Sequence, residues 1–140
     1  MAIRQVNPYL GFGGDAAKAI ALYEKALGAK TENLQRFSEV PGTEVAPENK
    51  DRVMHAVLHL GTGVVMVSDG MPGQPVPKES NQHVALDFDD PADMDRRFDA
   101  LSAGGKIVMP LQDTFWGARF GMLTDAFNIN WMFNCDTKKS

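Results

Sequence analysis

The feature that most constrains this chain is a pattern that starts twice. Residues 83–88, HVALDF, alternate as a half-buried strand does and lead straight into Asp89, Asp90 and Pro91 at the head of an amphipathic segment. Residues 7–12, NPYLGF, do the same earlier and reach the segment AAKAIALYEKAL through Asp15. A strand that feeds a capped helix, met twice in one short chain, points to a tandem repeat.

The first copy is legible in detail. Alternation places Leu10 and Phe12 on one side of the opening strand, with Asn7, Tyr9 and Gly11 on the other. Asp15 is the expected N-cap of the first helix, because a carboxylate there can accept from free N–H groups of the first turn. Ala16, Ile20, Tyr23 and Leu27 form the helix's apolar stripe, and Gly28 ends it at the usual left-handed position. Residues 30–38 read as a strand and 39–52 as a surface loop. Residues 53–60 and 64–69 form a hairpin around Gly61, Thr62 and Gly63. In its first strand Met54, Ala56, Leu58 and Leu60 oppose Val53, His55, Val57 and His59.

Three prolines and two glycines make residues 70–82 a linker, after which the pattern restarts. Asp90 caps the second helix, Pro91 occupies its first turn, and Met94, Phe98 and Leu101 are its stripe. Strands follow at 106–109, 118–124 and 130–135, with a turn at 125–128. The order is βαβββ twice, with Tyr23 answering Phe98, Leu27 answering Leu101 and Met66 answering Met132. Module one spans 5–69 and module two 83–136, within a single domain of 1–140. One helix cannot cover both faces of a module's sheet, so the other face must curl round something or meet its twin.

Composition limits the partners. The 140 residues are 44% hydrophobic and carry a formal net charge of -4, with no basic run to pair with phosphates, so no nucleic-acid partner is expected. Lys138 and Lys139 read as a solvated tail. The single cysteine, Cys135, suits a reducing compartment, and neither a signal-type apolar region nor a membrane span is present. A soluble cytoplasmic protein is expected, with no membrane partner. No G-x-G-x-x-G, Walker or C-x-x-C motif occurs, so nucleotide and redox cofactors have no motif support.

With the repeat in place, the chain resembles the vicinal oxygen chelate superfamily, which includes glyoxalase I, bleomycin-resistance proteins and extradiol dioxygenases. The segments NPYLGFGG, AIALYEKALGA, VMHA, SDGMP, DTFWGARFG and TDAFNINWMFN look like its PhnB-like branch, in order, over almost the whole chain. The resemblance implies an α+β fold in which tandem modules build one curled eight-stranded mixed sheet around a cavity, usually in a homodimer. Metal enzymes of the superfamily place four ligands there, on the first and last strands of each module. His83 falls on the second module's first-strand position, Met132 on its last-strand position and Met66 on the equivalent place in module one. The fourth is Asn7 or Pro8, and alternation favours Asn7. Some members of the branch carry a ubiquinone-pathway methyltransferase label, but this chain lacks the nucleotide-binding crossovers such an enzyme would use.

A catalytic divalent ion needs about three His, Glu, Asp or Cys ligands and an open position. Asn, Met, His and Met are a poor set, because thioether sulfur is a weak donor to hard or borderline cations. No metal and no cofactor are therefore expected. His55, among apolar neighbours, is the candidate general base or hydrogen-bond anchor, against the plainer reading of a structural histidine. His59, at the strand end, is expected to be exposed. Tyr9, Met66, Phe115, Trp116 and Met132, with His55, Ser68, His83 and Asn7, make up the expected cavity wall, semi-apolar and suited to a flat small molecule. Phe115, Trp116, Met66, Met132 and Tyr9 could equally be core or dimer-interface residues. Asp113 and Arg119 could hold a polar ligand group or pair with each other, and Ser68 and Asp69 suit turn capping better than nucleophilic chemistry. The favoured reading is a metal-independent small-molecule binder. The alternatives are a lyase, isomerase or dioxygenase, metal-dependent or centred on His83 and His55, and a dimerising or regulatory module.

Overall fold

The structure, a computed structural model, describes residues 2–42 and 44–137; the expected Lys138–Lys139 tail lies outside the described residues. The chain divides into two compact units, Met1–Val76 and Pro77–Ser140.

In the first unit, β1 (Tyr9–Gly11) leads to α1 (Ala16–Leu27), then β2 (Lys30–Arg36), β3 (Val53–Leu60) and β4 (Gly63–Ser68). Helix α1 forms where its stripe predicts: Ala16, Ile20, Tyr23 and Leu27 are buried, joined by Ala19 and Ala26. Gly28 ends it with φ 68°, a left-handed conformation that costs glycine nothing. The core lies between α1 and one sheet face, where Leu10, Phe12, Ala56, Leu58, Val65 and Val67 are buried.

The second unit repeats the plan with β5 (Val84–Phe88), α2 (Pro91–Leu101), β6 (Lys106–Asp113), β7 (Ala118–Thr124) and β8 (Asn130–Asp136). Asp90 caps α2 as expected, its carboxylate accepting from the Ala92 N–H at 3.0 Å. Met94, Phe98 and Leu101 are buried. The Phe133 ring stacks on Phe88 at 5.3 Å and meets Phe98 edge-on at 5.0 Å, which joins α2 to the sheet.

Two expectations are corrected. The eight strands do not form one curled sheet around a cavity; they form two separate four-stranded sheets, ordered β1-β4-β3-β2 and β5-β8-β7-β6. The reason lies in the pairing. In each module the last strand inserts beside the first in parallel and beside its hairpin partner in antiparallel, so the ladders are completed within the module. The second correction concerns the start of α1. Asp15 occupies the N-cap position, but its side chain makes no capping bond. The cap comes from Asp69, which follows β4: its Oδ1 accepts from the N–H groups of Gly14 at 2.8 Å and Ala16 at 2.9 Å, and its Oδ2 from Val53 at 2.7 Å. One buried carboxylate thus ties the helix start to two strands. Turn and strand-end capping was expected of Asp69; its carboxylate instead reaches backbone groups remote in sequence, at the start of α1 and in β3.

Candidate functional site

In the first unit the candidate residues gather on the sheet face away from α1. Register sets them in rows across the strands. Tyr9 on β1 lies beside Met66 on β4, which lies beside Val57 on β3. Ala56 opposes Val67, so His55 falls in the next row beside Ser68. Tyr9 and His55 are thus two strands apart, roughly 10 Å between backbones, with β4 between them. Their side chains close that gap: the Tyr9 hydroxyl lies 2.7 Å from His55 Nδ1, and the two rings meet edge-on with centroids 5.6 Å apart. Sequence reasoning put both residues in one cavity wall but missed their contact, because no local spacing links positions 46 residues apart.

The other first-unit candidates have plainer surroundings. The Ser68 hydroxyl accepts from the Gly70 N–H at 2.9 Å, a turn contact. Asn7 lies just before β1, half-buried, and accepts from Gln5 Nε2 at 2.7 Å. His59 is partly exposed and pairs with Glu32 across 2.6 Å. If Met66 and Met132 are equivalent, the parallel registers Tyr9 to Met66 and Ala85 to Met132 align Tyr9 with Ala85 and so Asn7 with His83.

In the second unit, Ala85, Met132, Met122 and Met109 form one row across all four strands, on the face opposite Trp131 and Phe133. His83 precedes β5 and is exposed. Phe115 and Trp116 sit in the β6–β7 turn, where Gly117 has φ 87°. They contact each other edge-on at 5.0 Å, are 98% and 57% exposed, and so lie outside their unit's core. Arg119 and Asp113 do pair, at 3.4 Å, but the shorter partner of Arg119 is Asp95 on α2, at 2.9 Å. The hydrogen bond to Asp95 holds the guanidinium above its ordinary pKa range, against the cost of burial.

This unit also carries a cleft of about 620 Å³ lined by Lys78, Glu79, Lys106, Asn128 and Asn130 among others. None of the candidate residues lines it. Its walls are polar loops, and Asn130 is engaged there by the Ser80 and Gln82 carbonyls at 2.9 and 3.1 Å.

The donor chemistry does not fit a catalytic divalent ion. The first unit offers an amide and a thioether at the relevant strand positions, and the second an imidazole and a thioether. Among the described residues no group of three His, Cys, Asp or Glu side chains comes together as a metal site.

Comparison with known proteins gives a consistent likeness. Residues 5–133 match the model of the Glyoxalase/Bleomycin resistance protein/Dioxygenase superfamily. Protein YjdN of Escherichia coli (strain K12) is 35% identical over 138 residues, covering 92% of this chain and 93% of its own length. The crystal structure of protein PA1353 from Pseudomonas aeruginosa superposes with a TM-score of 0.85 at 39% identity, covering 97% of this chain and all of that one. A PhnB protein from Bacillus cereus, described as a candidate 3-demethylubiquinone-9 3-methyltransferase, shares the fold with a TM-score of 0.76 at 22% identity, over 94% and 99% of the two chains.

Proposed function

The chain belongs to the Glyoxalase/Bleomycin resistance protein/Dioxygenase superfamily, and from that premise we propose that it is a PhnB-like binder of a small, partly apolar molecule that works without a catalytic metal. The observation that carries the reading is the first unit's sheet face away from α1. There Tyr9, His55 and Met66 combine a polarisable apolar surface with a polar group held in a fixed place. Thioether and aromatic surface suits a flat ligand, and one or two oriented polar atoms supply selectivity. The Met132 row of the second unit offers apolar surface of the same kind, with His83 and Trp116 as further candidates. Methyl transfer has no nucleotide-binding motif to support it.

The protein acts as a cytoplasmic homodimer in this reading. Exposed Ile107 and Val108 on the edge strand β6, with Phe115 and Trp116 beyond its end, supply apolar surface for an interface between copies. No described helix is long and apolar enough to cross a membrane.

The test is a fragment screen on protein labelled at its methionine methyl groups, alongside elemental analysis of tag-free material purified without chelators. Planar fragments should shift the Met66 or Met132 methyl signals, with less than about a tenth of a metal ion per chain. Near one tightly held ion per chain would overturn the metal-independent reading. A full screen that leaves both methyls unmoved would overturn the ligand site.

A further inference from the structure

We propose that Tyr9 is a positioning residue that holds His55 with Nδ1 as acceptor and Nε2–H turned outward, so that the face offers a hydrogen-bond donor to an oxygen of the ligand. The inference rests on the proposed ligand-binding role of this face and names the ligand chemistry: a planar apolar body bearing a carboxylate or similar oxygen acceptor.

The argument begins with the 2.7 Å contact between the Tyr9 hydroxyl and His55 Nδ1. Two tautomers could produce it. In one, the phenol donates to a bare Nδ1 and the proton of the neutral ring sits on Nε2. In the other, Nδ1–H donates to the phenolic oxygen and Nε2 is left bare. A phenol O–H is a good donor and a neutral imidazole nitrogen a good acceptor, so the first arrangement matches the stronger donor with the stronger acceptor. It also satisfies the hydroxyl proton, which the second leaves without a partner among the described residues. When the ring is protonated both nitrogens carry hydrogen, and Nε2 is a donor still. With Tyr9 in place, His55 therefore presents an N–H in either charge state.

This decides between the two roles open to His55. A ring whose outward nitrogen always carries hydrogen cannot accept a proton there, so it anchors an oxygen of the ligand and is not a general base through Nε2. Among the described residues Nε2 has no hydrogen-bond partner, and the neighbouring row of the same sheet face holds Met66 and Val57. A bound oxygen at Nε2 would leave the body of a flat molecule over that apolar row.

The experiment is long-range proton–nitrogen correlation NMR on protein labelled with nitrogen-15 in histidine, at a pH where the rings are neutral. His55 should show a bare Nδ1 and a protonated Nε2. Tyr9→Phe should move both nitrogens toward the mixture of a histidine without a partner, in which Nε2–H is favoured less strongly, because the hydroxyl that fixes the tautomer is gone. Tyr9 is half-exposed on an edge strand, so this variant keeps the fold. The opposite pattern in the parent protein, or no change in Tyr9→Phe, overturns the proposal. Benzoate is the ligand probe. It should shift the His55 Nε2–H signal and bind Tyr9→Phe about fivefold more weakly, the effect of one modest hydrogen bond. No shift up to the solubility limit of benzoate overturns the oxygen-acceptor assignment. The tautomer is read on free protein and the methionine-methyl screen does not depend on it, so failure of this inference and failure of the binding role are separately visible.

Discussion

Asp69 offers the sharpest test of how the first unit is held together. Its two oxygens receive three backbone N–H groups, from Gly14, Ala16 and Val53, at 2.7–2.9 Å, and the residue is 2% exposed. Asp69→Asn changes the shape by almost nothing and the hydrogen bonding by a great deal. The best placement keeps the amide oxygen toward Gly14 and Ala16, which turns the amide nitrogen against the Val53 N–H. Two bonds then lose their ionic acceptor, at about 1 kcal/mol each, and one buried donor is left facing another, at about 1–3 kcal/mol. The sum is about 3–5 kcal/mol, a large fraction of the stability of a domain this size. Urea unfolding followed by far-UV circular dichroism measures the loss. Amide hydrogen exchange at Gly14, Ala16 and Val53 shows whether it begins at the predicted place. A loss under about 1 kcal/mol would refute the view that this carboxylate ties α1 to β3.

Three further outcomes follow from the same kind of accounting. In the second unit Asp125 accepts from the N–H groups of Phe127 and Ile129 and from the Trp131 indole. Asp125→Ala should cost about 3 kcal/mol in urea unfolding, and a loss below about 1 kcal/mol would count against it. Burial, then the charge of Asp136 and Asp87, pushes the Cys135 thiol above its ordinary pKa. It should react slowly with a disulfide reagent at neutral pH until urea is added, and prompt labelling of the native protein would contradict its burial. The hydrogen bond from Arg97, with further help from Arg96, holds the Asp93 carboxyl below its ordinary range. A depressed folded-state pKa means its stabilising effect is present above about pH 4 and fades as pH falls through the folded value. A carboxyl NMR titration should show that depression, and Arg97→Ala should shrink it.

Much of the fold was legible because it is governed by short-range periodicity. The bounds of α1, β3 and β7 follow from apolar spacing and turn residues alone. Strand β6 runs to Asp113 rather than ending near Met109; Pro110 interrupts its pattern, and the register shifts on both sides of Met109, the second shift spanning Pro110. Edge position makes that tolerable, since a proline there forfeits no ladder bond the sheet interior needs. What the sequence hid was long-range. The cap of α1 arrives from a residue beyond β4, and the Tyr9–His55 pair spans a whole strand. The separation into two sheets was hidden for a similar reason. An uncovered face says that something must lie against it, not that the strands of the two modules must share one ladder.

The registers also show how the duplicated plan diverges. Met66 aligns with Met132, Val57 with Met122 and Tyr9 with Ala85, so two residues back along the strand His55 aligns with Phe120. The first unit therefore holds a polar pair where the second holds a small and an aromatic residue, on the same framework. If strand geometry alone brings Tyr9 and His55 together, the pair should be transferable. Ala85→Tyr with Phe120→His places the same two side chains at the same register positions of the second sheet, on β5 and β7 with β8 between them. The new histidine should then show a bare Nδ1 and a protonated Nε2 in nitrogen-15 spectra. Ala85→Phe with Phe120→His, which lacks the phenol hydroxyl, should weaken the bias to that of a histidine without a partner. A histidine with the same tautomer mixture beside tyrosine as beside phenylalanine, in variants that unfold in urea like the parent, would mean that the first unit's pair depends on more than the repeat's geometry. It would also direct attention to Val57, Met66 and Ser68 as the residues that press the two rings together.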